Sequence, residues 1–493
     1  MNNTLEIPVW LAFLIGALAL VALLQYCLLP PMRMLMRRRA NRVIDEVNSR
    51  LALTLPSFKL TKREVLIDRL VYHPEILQEV ELQAQKENLP RDAVMQQVRG
   101  YAREIVPAFN AWLYFKWAYW LARRIVHLLY RVRLGFADDA ALARLGANSS
   151  VVFVMNHRSN MDYILATYLA AEKTALSYAV GEWARVWPLQ QLIRSMGGYF
   201  VRRESGDPLY RRVLQCYVQM AAEGGVPQAV FPEGKLTRNG KLGTAKLGLL
   251  GYLTRHRLGK IETTTPDSAA TGNSIKQADS QAIHDIVFIP VGINYDRVLE
   301  DRTLIRLLDR SKARRGTFFT LRKFCGFVAH NIWLAMTGRW YRNGYACVNF
   351  GTPLSLKEWQ ESMAAMDTDE AGDPQFHAGV EALAEELIDR IGKIIPILPV
   401  ALVATIFRAT GDAEITELDI KVKVSELIEK LRASGAHVYI PRGDLDYAVT
   451  VGLRMLTLRH LLSESEGIYR ANRDEQPLLE FYAASIEHLV EAA

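Results

Sequence analysis

The sequence predicts an α/β protein with a helical region on each side of the α/β core and one transmembrane helix ahead of them. Three apolar runs of strand length are rich in β-branched residues, which is typical of strands buried on both faces, and they alternate with helical patterns. These runs lie at 150–155, 227–231 and 286–292. Apolar residues at three- and four-residue spacing flank them in 41–145 and 412–493, and this spacing predicts amphipathic helices.

The length and these changes of pattern predict four parts. A chain of 493 residues exceeds what one hydrophobic core normally serves. We expect an anchor at 1–32, an N-terminal helical domain at 33–145, an α/β domain at 146–358 and a C-terminal helical domain at 359–493. Within the α/β domain, the polar and aperiodic stretch 261–285 predicts a mobile surface loop.

The composition excludes several classes of protein. Half of the residues are hydrophobic and 23% are charged, which excludes a mostly disordered chain. A mean hydropathy of +0.01 excludes a protein with many membrane spans. The net charge of +7 favours anionic partners, but the charge alone does not distinguish nucleic acid, phosphorylated metabolites and anionic lipid.

Cysteine spacing and the common phosphate-binding motifs are also informative. The four cysteines are far apart and form no CxxC pair, so neither a zinc site nor a disulfide framework is predicted. The sequence contains no GxGxxG, no GxxxxGK followed by Ser or Thr, and no GxSxG. Nucleotide-binding loops and the serine-hydrolase elbow are therefore not predicted.

The N-terminal run predicts a membrane anchor. Residues 7–32 carry no charge and are long enough to span a bilayer. The leader before the run has no basic residue and the run ends in Leu-Pro-Pro, unlike a cleaved signal peptide. Five arginines follow within ten residues, so the positive-inside rule places the bulk of the chain in the cytoplasm. A nucleic-acid binder would fit the net charge but not this run.

Three further stretches have competing interpretations. The aromatic stretch AWLYFKWAYWLARR (111–124) is favoured as helical core, and the alternative is an aromatic belt on a membrane surface. Residues 302–342 hold ten Lys or Arg and one Asp, which suits either a helix in the membrane interface or a buried helix with a basic collar. The apolar stretch 394–407 is too short to cross a membrane and contains two prolines, so a packed core segment is expected.

A histidine and an aspartate directly after the first apolar run are the first candidate site. The segment Asn156–Asp162 reads NHRSNMD. A catalytic base needs a carboxylate to fix its tautomer and to stabilise the imidazolium. At this spacing the two side chains can meet only if His157 lies in the turn and Asp162 in the first helical turn, with Ser159 or Asn160 as the helix cap. Considered alone, the pair is also compatible with a loop histidine beside an ordinary capping acid.

Three more clusters follow along the chain. The segment GGYFVRR contains Arg202 and Arg203, and FPEGKLTRNGK follows the second apolar run. Adjacent arginines usually form a solvated face, but they can also hold a phosphate. Loops at the carboxyl ends of parallel strands commonly form binding sites. The fourth segment, FIPVGINY, suits an acyl-chain wall or a plain core strand equally well.

The four segments in this order resemble the conserved blocks of the glycerophospholipid acyltransferases, which share an HxxxxD motif. The flanking segments TKREVLIDRL, YACVNFGTPLSL and LLEFYAASIEHLV resemble the bacterial membrane-bound glycerol-3-phosphate acyltransferases. The similarity extends over about 58–493. It implies an acyltransferase fold for the α/β domain, which would then be the catalytic domain, and a location at the bacterial inner membrane.

The resemblance also implies roles for individual residues. His157 matches the general base and Asp162 its orienting partner. The remaining candidate positions are basic residues for the substrate phosphate, Arg203, Arg238, Arg202, Lys235, Arg158 and Lys241, and block residues near the substrate, Glu233, Gly234 and Pro290. One departure from the family pattern is Leu236, because an arginine is common at that position.

The expected reaction is direct acyl transfer. His157 would take the proton of a glycerol phosphate hydroxyl, and the alkoxide would attack an acyl-CoA or acyl-carrier-protein thioester. The thiolate is a good leaving group, so no metal and no cofactor are expected. Three alternatives stay open: another acceptor (lysophosphatidate or dihydroxyacetone phosphate), a thioesterase or lysophospholipase, and a protein that only tethers a partner to lipid. Ser159 as a nucleophile is disfavoured.

Overall fold

The computed structural model describes most of the chain after residue 55. It covers 56–145, 149–170, 174–185, 189–202, 205–258, 285–308, 343–364 and 373–493, together with residues 187 and 326. The N-terminal apolar run and most of the basic stretch 302–342 lie outside the described residues. Among those that are described, no helix combines the length and the apolar composition that crossing a membrane requires.

A mixed sheet of eight strands forms the centre of the fold. Its strands are β1 (Arg131–Ala137), β2 (Ser149–Met155), β3 (Ser177–Gly181), β4 (Tyr199–Val201), β5 (Gln228–Val230), β6 (Asp285–Tyr295), β7 (Tyr345–Phe350) and β8 (Leu354–Ser355). The order is β1-β7-β6-β2-β5-β3-β4, and β8 pairs with β6. The five strands from β6 to β4 run parallel, whereas β7 and β8 are antiparallel to β6.

Strand β2 shows why the sheet has a helical layer on each face. Its side chains alternate between two apolar clusters: Val151, Phe153 and Met155 belong to one, and Val152 and Val154 to the other. A continuous apolar run is what a strand covered on both faces requires. The three strands predicted from such runs are therefore confirmed, and the alternation of strands with helices places them in one α/β core.

The helices divide between these two faces. In chain order they are α1 (Ser57–Leu60), α2 (Arg63–Val71), α3 (Pro74–Glu87), α4 (Arg91–Ile105), α5 (Tyr119–Leu129), α6 (Asp139–Ala143), α7 (Met161–Ala170), α8 (Leu189–Ser195), α9 (Pro208–Glu223), α10 (Leu247–Leu258), α11 (Asp301–Arg306), α12 (Leu356–Ala364), α13 (Asp373–Lys393), α14 (Pro399–Thr410), α15 (Glu417–Ala433), α16 (Leu445–Leu458), α17 (Gln476–Ala483) and α18 (Glu487–Glu491). A π-helical segment, Leu113–Ala118, leads directly into α5. Helices α2 to α4, α9, α10 and α13 bury their apolar sides on one face, and α5, α7 and α14 to α18 on the other.

The C-terminal region is packed into the core rather than attached to it. Every residue from Pro399 to Phe407 in α14 is buried, which confirms the packed core segment expected from the sequence. Helices α14 and α17 belong to the same apolar cluster as β2 and β6. The last helices therefore contribute to the surroundings of the sheet, and their loops come close to the ends of its strands.

Two regions are less purely helical than expected. Strand β1 lies in the predicted N-terminal helical domain and pairs with β7 in parallel. The C-terminal region contains a small antiparallel sheet of β9 (Ile415–Thr416), β10 (Leu462–Ser465) and β11 (Ile468–Ala471). Of the predicted loop 261–285, only Asp285 is described, and it is the first residue of β6. The domain boundaries themselves stay a prediction.

Candidate active site

A buried histidine–aspartate pair lies at the carboxyl end of β2. The Nδ1 atom of His157 is 3.0 Å from Oδ2 of Asp162, and both side chains are at most 3% exposed. His157 lies in the turn after the strand, and Asp162 lies in the first turn of α7, as the five-residue spacing predicted. The imidazole ring stacks on Phe231, with a distance of 4.1 Å between ring centroids.

The Asp162 carboxylate is held by donors on both oxygens. Oδ2 accepts hydrogen bonds from the backbone N–H groups of Arg158 (2.7 Å) and Ser159 (3.0 Å) as well as from His157. Oδ1 accepts the hydroxyl of Tyr295 at 2.6 Å. Because Oδ2 receives two backbone N–H groups, it can only accept from the imidazole, so Nδ1 of His157 carries the proton. Nε2 then has a free lone pair, and no hydrogen-bond partner for it is found among the described residues.

Two polar side chains fix the turn that carries the histidine. Asn156 pairs with the backbone of Ile293 in β6 through both amide atoms, at 2.9 and 2.7 Å. Glu233 accepts the backbone N–H of His157 at 2.8 Å through one oxygen and that of Gly243 at 2.9 Å through the other. Burial raises the pKa of Glu233, although these backbone hydrogen bonds oppose the shift. Glu233 thus joins the histidine turn to the loop of the third block.

The start of α7 is held by a residue that sequence reasoning missed. Ser159 donates its hydroxyl to Glu300 at 2.7 Å, and the side-chain amide of Asn160 donates to the same carboxylate at 3.0 Å. Ser159 also caps the helix by accepting the N–H of Met161 at 3.1 Å. Burial raises the pKa of Glu300. Ser159 thus anchors the turn, and the expectation that it is not the nucleophile stays a prediction.

Arg158 places an unusual buried charge beside the pair. Its side chain is only 2% exposed, and burial lowers the pKa of its guanidinium. One nitrogen donates to the carbonyl of Gly240 at 2.8 Å, and the guanidinium lies over the ring of Phe481. The Nε and the second terminal nitrogen have no partner among the described residues. Buried N–H groups without partners cost free energy, so they suit an anionic ligand.

The third-block loop is closed by the C-terminal helices. Gly240 has a φ of +85°, and a Cβ at this position would collide with the backbone carbonyl of Phe481. Lys241 forms an ion pair of 2.5 Å with Glu487. Arg238 is half-buried and donates to the carbonyl of Leu307 at 3.4 Å. The loop is therefore positioned by residues that lie about 240 positions further along the chain as well as by its own strand.

The remaining residues of this block face different environments. Gly234 has a φ of +67°, which favours glycine at this turn, and Lys235 beside it is exposed. Leu236, the departure from the family pattern, packs against the apolar cluster to which α14 and α17 belong. An apolar side chain at this position thus has a packing role, and the cations closest in sequence are Lys235 and Arg238.

The second-block arginine has a carboxylate partner from the N-terminal region. Arg202 makes two hydrogen bonds to Glu104 of α4, at 2.9 and 2.6 Å, and Arg185 pairs with the same carboxylate. Burial alone would raise the pKa of Glu104, but these arginines hold it below the ordinary value. Arg202 therefore makes a structural ion pair here, in addition to any role in binding. Arg203 lies outside the described residues.

Pro290 lies within the sheet rather than in a loop. It is buried in β6 opposite Val154, and its carbonyl accepts the N–H of Gly351 at 2.9 Å. The described residues also contain no group of three His, Cys, Asp or Glu side chains that could hold a metal ion. A cavity of about 530 Å³ is lined by Lys59, Phe109 and Trp112, among other side chains, and none of the predicted site residues lines it.

Comparison with known proteins identifies the class of this site. Residues 138–293 match the acyltransferase family model, and residues 332–492 match the glycerol-3-phosphate acyltransferase C-terminal region. The first match contains the histidine–aspartate pair and the four strands from β2 to β5. Residues 138–293 are therefore similar to the acyltransferase family, and residues 332–492 are similar to the C-terminal region of glycerol-3-phosphate acyltransferases.

Individual relatives extend the similarity over most of the chain. A protein of Pseudomonas putida named glycerol-3-phosphate acyltransferase is 25% identical over 78% of this chain and 44% of its own length. A protein of Aeromonas hydrophila with the same name is 24% identical over 90% of this chain and 52% of its own length. The chain thus spans about half the length of these relatives. The solved structure of a 1-acyl-sn-glycerophosphate acyltransferase from Thermotoga maritima is also similar, and the match covers 66% of this chain and 95% of that one. The TM-score is 0.30 and the identity is 14%. A likeness this weak carries no argument.

Proposed function

We propose that this protein transfers a fatty acyl group from an acyl thioester to the sn-1 hydroxyl of glycerol 3-phosphate, with lysophosphatidate as the product. The observation that carries the proposal is the buried His157–Asp162 pair, in which Asp162 is saturated with donors and Nε2 of His157 is the basic atom. The names of the relatives supply the acceptor, and the family supplies the reaction class.

The reaction needs one proton acceptor and one good leaving group. Nε2 of His157 takes the proton of the glycerol hydroxyl while Asp162 stabilises the imidazolium that forms. The resulting oxygen nucleophile attacks the thioester carbonyl, the C–S bond breaks, and the thiolate leaves with the proton returned by His157. No metal, cofactor or covalent enzyme intermediate takes part in this scheme.

Several cations support an anionic acceptor. Arg158 offers two buried guanidinium nitrogens without partners beside His157, and a planar guanidinium suits phosphate oxygens. Arg238, Lys235 and Lys241 belong to the loop that Glu233 joins to the histidine turn. We assign the phosphate to this side of the site, with Arg203 as a further candidate.

The setting of the reaction is part of the proposal. We infer a single-pass protein of the bacterial inner membrane, anchored by residues 1–32, with the catalytic part in the cytoplasm. In this setting the long-chain donor, which is either acyl-CoA or acyl-carrier protein, and the phospholipid precursor meet at the same membrane. It rests on the uncharged run 7–32 and on the arginines that follow it.

The decisive experiment follows the label of glycerol 3-phosphate. We expect the full chain, purified in detergent and given palmitoyl-CoA and radiolabelled glycerol 3-phosphate, to form labelled lysophosphatidate. His157→Ala should lower the rate about 100- to 10,000-fold, since a positioned general base contributes on that order. His460→Asn is the matched control, because His460 is exposed and has a φ of +61°, a conformation that asparagine tolerates.

Other outcomes would redirect the assignment. Release of free fatty acid without labelled lipid would support the hydrolase alternative. Activity only with lysophosphatidate or dihydroxyacetone phosphate would change the acceptor, and activity only with acyl-carrier protein would settle the donor. Unchanged transfer by His157→Ala would contradict the role of the pair.

A further inference from the structure

The helical segment Leu113–Leu129 has two apolar faces, and only one of them is packed. Tyr114, Ala118, Ala122, Val126 and Leu129 are buried against the core. On the opposite side, Trp117 is 55% exposed, Trp120 50%, Leu121 42% and Leu128 44%. At about 100° per residue, these four side chains and Arg124 form one stripe, which we call the outer face.

This arrangement corrects the prediction that the aromatic stretch is core. Tyr114 is core, as predicted, but both tryptophans of the outer face are exposed. A soluble helix normally buries one apolar stripe and leaves the other side polar. Two large indole rings that are half exposed on one helix therefore indicate a surface that is covered by a partner.

The charge around the outer face identifies the kind of partner. No Asp or Glu occurs from 105 to 137, whereas this stretch contains five Lys or Arg. Lys116, Arg123 and Arg124 are exposed on the segment itself, and the guanidinium of Arg124 lies 5.5 Å from the centre of the Trp120 ring. Tryptophan and basic residues around an apolar stripe are typical of helices that lie in the interface of an anionic bilayer.

The outer face is one helix away from the catalytic pair. Helix α5 packs on α7, whose first turn carries Asp162. The rings of Tyr119 and Tyr168 stack with centroids 5.8 Å apart, and Nε2 of His127 lies 3.1 Å from the Tyr168 hydroxyl. A membrane that contacts the outer face would thus lie close to the site where an acyl chain reacts.

We propose that the outer face docks on an anionic lipid bilayer. This inference goes beyond the proposed function, because it assigns membrane contact to a surface outside both 1–32 and 302–342, and it does not depend on the acceptor. The positive segment approaches the headgroups, and the indole rings enter the boundary between headgroups and acyl chains. The contact fixes the orientation of the catalytic part on the membrane.

The test locates single positions of the full chain relative to lipid. Leu121→Cys carries an environment-sensitive fluorophore in a variant whose Cys27 and Cys325 are replaced by serine, and the buried Cys216 and Cys347 are left unchanged. Leu82→Cys is the matched control, since Leu82 is a leucine of α3 that is 62% exposed. Both proteins are reconstituted into vesicles of phosphatidylcholine and phosphatidylglycerol that contain lipids with a spin-labelled acyl chain.

We expect the label at position 121 to shift to shorter wavelength and to be quenched at least threefold more than the label at position 82. Arg123→Glu with Arg124→Glu should weaken this quenching, whereas Arg91→Glu with Arg99→Glu, an equal charge change at exposed arginines of α4, should not. Circular dichroism verifies the fold of each variant. Equal quenching at positions 121 and 82 overturns the proposal, as does a label at 121 that is shielded from water without being quenched by lipid, because protein would then cover the face.

Discussion

The hydroxyl of Tyr295 donates to Oδ1 of Asp162 at 2.6 Å, while His157 uses the other carboxylate oxygen. Tyr295 is the last residue of β6, so the central sheet itself supplies a hydrogen-bond donor to the histidine–aspartate pair. A carboxylate that is held on both oxygens cannot rotate away from the imidazole. The fourth segment thus helps to orient the His157–Asp162 pair and also contributes to the core.

Replacement of this tyrosine should change the pH dependence of the reaction. In Tyr295→Phe, Oδ1 of Asp162 loses its donor, so the carboxylate is less well oriented and presents a stronger charge to the imidazole. We expect kcat to fall about tenfold, since one hydrogen bond to a charged group is worth roughly 1.5–3 kcal/mol, and the acidic limb of the pH–rate profile to move to higher pH.

The matched control removes a neighbouring phenol hydroxyl. Tyr130 is as buried as Tyr295, its ring centroid lies 5.2 Å away, and its hydroxyl donates to the carbonyl of Arg297 instead of to the pair. Tyr130→Phe should affect stability but leave the pH profile in place. Identical profiles for both variants would show that Tyr295 has only a packing role.

Gly240→Ala should open the third-block loop. The new Cβ would collide with the carbonyl of Phe481, and alanine would also be strained at a φ of +85°. Because backbone must move, we expect a higher KM for glycerol 3-phosphate and a lower melting temperature. Gly248→Ala in α10 is the control, since a Cβ there meets no atom within 4 Å. Equal KM values for the two variants would contradict this account of the loop.

Arg202 and Glu104 should be energetically coupled. Their paired hydrogen bonds link the second block to α4, but Arg202 is 34% exposed, so solvent screening limits the gain to about 1 kcal/mol. We expect a double-mutant cycle of Arg202→Gln and Glu104→Gln, followed by chemical denaturation, to give a coupling energy of this size. Losses of stability that simply add would show that the ion pair contributes nothing.

Asp296 should make stability depend on pH. Burial raises the pKa of this carboxyl to about 7, in spite of hydrogen bonds from the backbone N–H groups of Tyr345 (2.8 Å) and Val400 (3.2 Å). The folded-state pKa lies above the ordinary value of about 3.9, so the folded protein binds this proton more tightly than the unfolded chain. The stabilisation that this proton binding gives is complete below about pH 3.9. It is lost as the pH rises to about 7, and the loss is at most about 4 kcal/mol.

The comparison with Asp296→Asn isolates this group. The asparagine side chain stays neutral at every pH. The free energy of unfolding of the variant should therefore rise relative to that of the wild type between pH 4 and pH 8. The amide loses one acceptor, but this penalty does not change with pH. Parallel stability curves from urea denaturation would show that Asp296 does not titrate in this range.

Local spacing was sufficient to predict the geometry of the His157–Asp162 pair. The turn after β2 and the first turn of α7 bring His157 and Asp162 together because only two local elements are involved. The partners Tyr295, Glu300 and Glu104 lie 133, 141 and 98 residues from the side chains they hold. No periodicity in a single sequence reports contacts across such distances, and only the fourth block pointed to the neighbourhood of Tyr295.

The missed strand β1 has a different cause. Its alternation of Arg131, Val132, Arg133 and Leu134 has the period of two that a strand requires, but its basic residues hid it within a helical region. As an edge strand it keeps Val132 buried while Arg133 and Leu134 are exposed, so it lacks the continuous apolar run of β2. The same search for buried runs therefore could not find it.

The carbonyl of Phe481 fits against Gly240, and its ring lies over the guanidinium of Arg158. A fragment that ended at residue 296 would contain all four segments and would still lack this contact, together with the ion pair from Glu487 to Lys241. On a ribosome, the His157–Asp162 pair would thus be synthesised long before the helices that hold the neighbouring loop in place. The third-block loop can therefore reach its final position only after the C-terminal helices have been synthesised and have packed against it.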